Sequence, residues 1–139
     1  MKENIPRYGL NFLVDTDVVI NHIKGFYNIK NDLSNKGNVN ISVLSEYEIY
    51  NGVTDDKMMQ EVEDLLSFFN RINITSDICR TASNLQKKYK NIENTLKLID
   101  LLIASTCIVN KFVLVTKNVK HFKIIPDIEI YGEKHSGKP

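Results

Sequence analysis

The stretch Leu10-Asn11-Phe12-Leu13-Val14-Asp15-Thr16-Asp17-Val18-Val19-Ile20 decides the fold. Its first five residues form a short apolar run of strand length, and Asp15-Thr16-Asp17 ends that run with turn-favouring polar residues. Val18, Val19, Ile20 and Ile23 then suit a short helix that Gly25 closes. The order is therefore strand, turn, helix, and the same order recurs along the chain. Residues 39–43 (Val-Asn-Ile-Ser-Val) read as a second strand, and Ser45-Glu46-Tyr47-Glu48 opens a helix that breaks near Gly52. Met58, Val62, Leu65, Leu66 and Phe69 share a helix face over 56–69, and Ile72-Asn73-Ile74 alternates as a brief strand. Ser76 is placed to cap a helix over 77–89, and a polar stretch over 90–95 leads to a helix over 98–110. Lys111-Phe112-Val113-Leu114-Val115-Thr116 is the clearest strand, with 128–131 a candidate for the last. Strands that alternate with helices imply an α/β fold, a parallel, Rossmann-like sheet flanked by helices on both faces. One domain over 1–131 is expected, with a polar tail at 132–139.

Composition narrows the function. The chain has 139 residues, 42% hydrophobic and 25% charged, which suits one soluble globular domain. Its formal net charge of +1 excludes bulk attraction to a polyanion, so any nucleic acid must be held locally. Residues 111–139 carry a net +3 and residues 54–77 a net −4, so charge is segregated along the chain. The two cysteines, Cys79 and Cys107, show no zinc-ligand spacing. No apolar run is long enough to cross a membrane and residues 1–6 lack an apolar signal core, so a cytoplasmic protein with reduced thiols is expected.

In parallel α/β sheets, chemistry gathers beyond the carboxyl ends of the strands. Asp15 stands there, directly after the first strand, either as a helix cap or as a ligand in the crevice. Glu48 follows Ser45 by three residues, which is also the spacing of a capping box. Asp100 lies on the face of its helix shared by Ile103, Ala104 and Cys107, where a carboxylate needs a partner cation or a first-turn position. Three carboxylates in one crevice repel unless a cation neutralises them, and oxygen ligands without Cys or clustered His suit Mg²⁺ or Mn²⁺. Such ions hold phosphates and activate water, which implies phosphodiester hydrolysis.

Four pieces stand in order: Phe12-Leu13-Val14-Asp15-Thr16-Asp17-Val18-Val19-Ile20, Ile41-Ser42-Val43 with Glu48 four residues before Gly52, Asp100-Leu101-Leu102-Ile103-Ala104, and Val115-Thr116-Lys117-Asn118-Val119-Lys120-His121-Phe122. Together they resemble the PIN-domain ribonucleases, and especially the VapC toxins of bacterial and archaeal toxin–antitoxin pairs. The resemblance implies a metal-dependent endoribonuclease in which Asp15, Glu48 and Asp100 are the catalytic, metal-binding acids. Thr16, Asp17 and Thr116 would support those acids, and Asn118 would stand where a fourth ligand is often found, as a neutral amide. It also implies RNA as substrate, a cognate antitoxin as partner and a homodimer. His121 precedes Phe122 and is left off the metal set. Met58, Met59, Phe68 and Phe69 supply apolar side chains for a dimer surface. A PIN-fold module that binds RNA or protein without cutting is the rival reading. A haloacid-dehalogenase-like phosphatase, which also places D-x-D after its first strand, is a lesser one.

Overall fold

The computed structural model describes residues 9–90 and 96–132. The polar stretch expected over 90–95 and the tail at 132–139 fall almost wholly outside the described residues. The elements run β1 (Leu10–Val14), α1 (Thr16–Ile23), α2 (Ile29–Leu33), β2 (Gly37–Ser42), α3 (Val43–Asn51), α4 (Asp56–Leu66), β3 (Asn70–Ile72), α5 (Ser76–Tyr89), α6 (Leu98–Asn110), β4 (Val113–Val115), α7 (Val119–Phe122) and β5 (Glu129–Ile130). The five strands form one sheet in the order β3-β2-β1-β4-β5. Every pairing is parallel, with Phe12 in register with Val39 on one side and Val113 on the other.

Strand alternation divides the core into two layers. Phe12, Val14, Val113 and Val115 point to one face, where Val18, Ile29, Ile49 and Leu66 of α1 to α4 cover them. Leu13 and Leu114 point to the other, under Leu85, Ile103, Ala104 and Phe122 of α5 to α7. Burial on both faces is why the strands are short continuous apolar runs. The chain leaves β1 toward β2 on one side and enters β4 on the other, so the topology switches between β1 and β4. A crevice opens there, at the carboxyl ends of those strands.

Several boundaries differ from the sequence reading. Helix α3 starts at Val43 and is capped by Ser42, whose hydroxyl accepts from the Leu44 amide at 3.1 Å, so Ser45 lies inside the helix and forms no capping box with Glu48. Strand β3 pairs through Asn70, Arg71 and Ile72, two residues earlier than the Ile72-Asn73-Ile74 alternation suggests. Its register follows β2, not its own apolar residues, since at the edge only one of the three is an apolar side chain. Thr75, not Ser76, caps α5. The short helices α2 and α7 add to the elements that the sequence pattern marks. Phe69 is buried, and Met58 and Phe68 pack on the first core layer, so much of the apolar surplus assigned to a dimer surface is used within the chain.

Candidate active site

Each acid reaches the crevice from a different element. Asp15 caps α1 with extended backbone, and its Oδ1 accepts from the Thr16 amide at 2.8 Å. Its Oδ2 accepts from Thr116 Oγ1, also at 2.8 Å, which ties the end of β1 to the end of β4 across the topological switch. The capping and functional readings of Asp15 are thus both realised, by different oxygens. Glu48, one turn from the end of α3, accepts from Thr16 Oγ1 at 2.5 Å. Asp100 lies in the first turn of α6, where the helix dipole favours a carboxylate.

Electrostatics shows that the acids share one region. Burial first, then the charge of Asp17, lifts the pKa of Asp15 to about 6, with Asp100 adding to the rise and the Thr116 hydroxyl and Thr16 amide opposing it. Asp17 is raised by burial, against the Lys117 amide and the Lys117 charge. Its Oδ1 is buried without a hydrogen-bond partner among the described residues. Asp100 is raised by burial and by Glu48, and lowered by the Lys97 amide and by the charges of His121 and Lys97. The sequence reading left His121 aside as a surface residue, and the structure sets it within electrostatic reach of Asp100. Lys97 is a contributor that no motif marked, its signal being only that it precedes the helix start carrying Asp100, whereas Lys117 and His121 lie within the Val115–Phe122 piece without having been assigned a role.

Asn118 joins the region mainly through its backbone, whose amide donates to Thr116 Oγ1 at 2.9 Å. Its carboxamide nitrogen meets His121 Nδ1 at 2.9 Å. No group of three or more His, Cys, Asp or Glu side chains among the described residues is close enough to hold a metal ion as it stands. The donor chemistry nevertheless fits a hard cation. The acids and their hydrogen-bond partners offer carboxylate, hydroxyl and amide oxygens, one carboxylate oxygen is buried without a partner among the described residues, and burial first, then the charge of its acidic neighbours, raises the pKa of Asp15. A divalent ion would relieve each of these costs and would draw the acids together.

Comparison with known proteins agrees with this fold. The PIN domain family model matches residues 12–127. Ribonuclease VapC19 of Mycobacterium tuberculosis is 31% identical over 84% of this chain and 96% of its own. Ribonuclease VapC1 of Methanocaldococcus jannaschii is 28% identical over 96% of both chains. Among solved structures, a chain of a toxin–antitoxin complex from Klebsiella pneumoniae superimposes with a TM-score of 0.70 at 32% identity, covering 84% of this chain and 93% of that one. VapBC2 from Rickettsia felis, bound to a DNA fragment from its promoter, shares the fold with a TM-score of 0.75 at 22% identity, covering 87% and 97%.

Proposed function

The chain belongs to the PIN-domain family, and from that premise we propose that it is a toxin-class endoribonuclease that hydrolyses RNA with a divalent cation held by Asp15, Glu48 and Asp100. The observation that supports this reading is that Asp15 and Glu48 meet at the β1/β4 switch through the Thr116 and Thr16 hydroxyls, with Asp100 within electrostatic reach of both. Mg²⁺ or Mn²⁺ bound there would neutralise the acids, polarise the phosphate and lower the pKa of a water.

The residues of the chain do the positioning. Thr116 holds Asp15 Oδ2 and Thr16 holds Glu48, so the two carboxylates are oriented before any ion arrives. Asp17, half-buried with its Oδ1 lacking a hydrogen-bond partner among the described residues, would accept a proton or a hydrogen bond from a water at the crevice. Lys117 and Lys97 flank the acids with positive charge that can meet the RNA phosphates on either side. The non-cleaving module is the weaker reading, since it gives no reason to gather acids that repel one another.

The deciding comparison is RNA cleavage in Mn²⁺ by wild type and by Asp100→Asn. Cleavage by wild type, its loss in EDTA and a drop of at least ~100-fold in the variant are expected; equal cleavage by both would remove the acids from the chemistry. As in the toxin–antitoxin complex it resembles, the protein is proposed to bind a cognate antitoxin, and also to form a homodimer. Light scattering at micromolar concentration should give twice the monomer mass, and the monomer mass would refute the dimer. Among the described residues, no helix is long and apolar enough to cross a membrane.

A further inference from the structure

A cleft of about 380 Å³ lies beside the acids on the β5 side, walled by Asn21, Phe26, Tyr27, Thr116, Lys117 and Tyr131 among others. It is continuous with the candidate active site, because Thr116 lines it and also holds Asp15, and Lys117 lines it and also faces Asp17. Resting on the ribonuclease reading above, we propose that this cleft seats an unstacked nucleobase of the RNA next to the bond that is cut, with Phe26 as its stacking face and Asn21 reading its edge.

The helix end supplies the first argument. Gly25 adopts φ +86°, its amide donates to His22 O at 3.0 Å, and the Phe26 amide donates to Asn21 O at 2.9 Å. This is a Schellman cap, in which the apolar residue after the glycine ordinarily packs on the residue five positions back. Here that residue is Asn21, so Phe26 loses its usual partner and is left 78% exposed at the lip of the cleft. An aromatic ring held out by a fixed backbone turn serves no packing purpose, and it is what a base can stack on.

Hydrogen bonds and ring packing fix another part of the wall. The Tyr27 hydroxyl donates to the Asp32 carboxylate, Tyr131 also bonds Asp32, and Lys36 pairs with it at 3.2 Å. The Tyr131 ring meets the Phe12 ring edge to face at 5.3 Å. With those hydroxyls committed to Asp32, Asn21 is the wall residue whose carboxamide offers both a donor and an acceptor, the pairing that base edges require. Lys117 at the inner end matches the phosphate that joins the seated base to the acids.

The test maps cleavage of a randomised single-stranded RNA pool in Mn²⁺ by wild type, Phe26→Ala, Phe26→Trp and Asn21→Ala. Phe26→Ala should lower kcat/KM by ~10-fold, mostly through KM, and flatten base preference at one position beside the cut. Phe26→Trp should keep the preference, and Asn21→Ala should change which base is favoured at that same position. Binding of a fluorescein-labelled pentanucleotide, read by anisotropy in the Asp100→Asn background, measures the seat without any chemistry. There Phe26→Ala should weaken binding by a similar factor. That readout decides the inference even if wild type proves inactive, an outcome that would count against the ribonuclease reading alone. An unchanged position-by-position profile and unchanged anisotropy in Phe26→Ala would overturn the base seat. So would a Phe26→Ala variant that handles RNA normally yet loses a protein partner, which would give the cleft to a side chain of that partner.

Discussion

Asp15 carries two opposed demands. Its place at the end of β1 brings it to the crevice, and its burial among Asp17 and Asp100 makes its charge unfavourable, raising its pKa from 3.8 to about 6. Between those values the folded metal-free protein binds a proton that the unfolded chain has released, so its stability falls as pH rises through that window. Above pH 6 the ionised carboxylate costs on the order of 1–3 kcal/mol. Asp15→Asn should therefore be the more stable protein in EDTA at pH 7.5 and should lose that advantage below pH 4, as read from urea denaturation at each pH. A variant less stable than wild type at pH 7.5 would refute the account. The place of Asp15 at the crevice was legible in the sequence because it directly follows an apolar run of strand length, although the same position also suits the helix cap that it forms. Glu48 was harder, since the same spacing fits a capping box, and only the true start of α3 at Val43 removes that alternative. The links Thr16 to Glu48 and Thr116 to Asp15 join residues far apart in the chain, and no local pattern announces such pairs.

Elements were readable where burial imposed a period. Strands β1 and β4 are central and covered on both faces, so their apolar runs stood out, and α6 is apolar for most of its length because it lies against the sheet. Edge strand β3 and the one-turn helix α7 are set by pairing and chain direction, which leave little trace in composition. Two backbone positions make the same point and can be tested. A Cβ at Gly37 would sit 2.3 Å from Leu10 O, a backbone atom of the β1–β2 ladder that cannot withdraw, so Gly37→Ala should cost on the order of 3 kcal/mol. Lys111 ends α6 at φ 60°, in the left-handed region, with its side chain exposed, so Lys111→Gly should gain about 1 kcal/mol. Thermal melts of the two variants should move in opposite directions, and a Lys111→Gly protein that melts below wild type would contradict the assignment of that cap.

At the scale of the whole molecule, the sheet unites what the sequence separates. Asp15, Glu48 and Asp100 come from the ends of β1, α3 and the start of α6, and they share a crevice only because β1 lies between β2 and β4. The unfolded chain cannot gather them, so a cation that binds all three binds the native state alone and must stabilise it. At a Mn²⁺ concentration 100 times the dissociation constant, the gain is about 2.7 kcal/mol, and for a chain of this length that raises Tm by ~10 °C. The rise should shrink at pH 5, where the ion must displace the proton that Asp15 retains. Asp100→Asn, which removes one charge from the set, should show only a small part of it. Because the readout is a melting temperature, it tests the site without requiring the RNA to be known, and an equal rise in wild type and in a protein lacking all three acids would place the ion elsewhere.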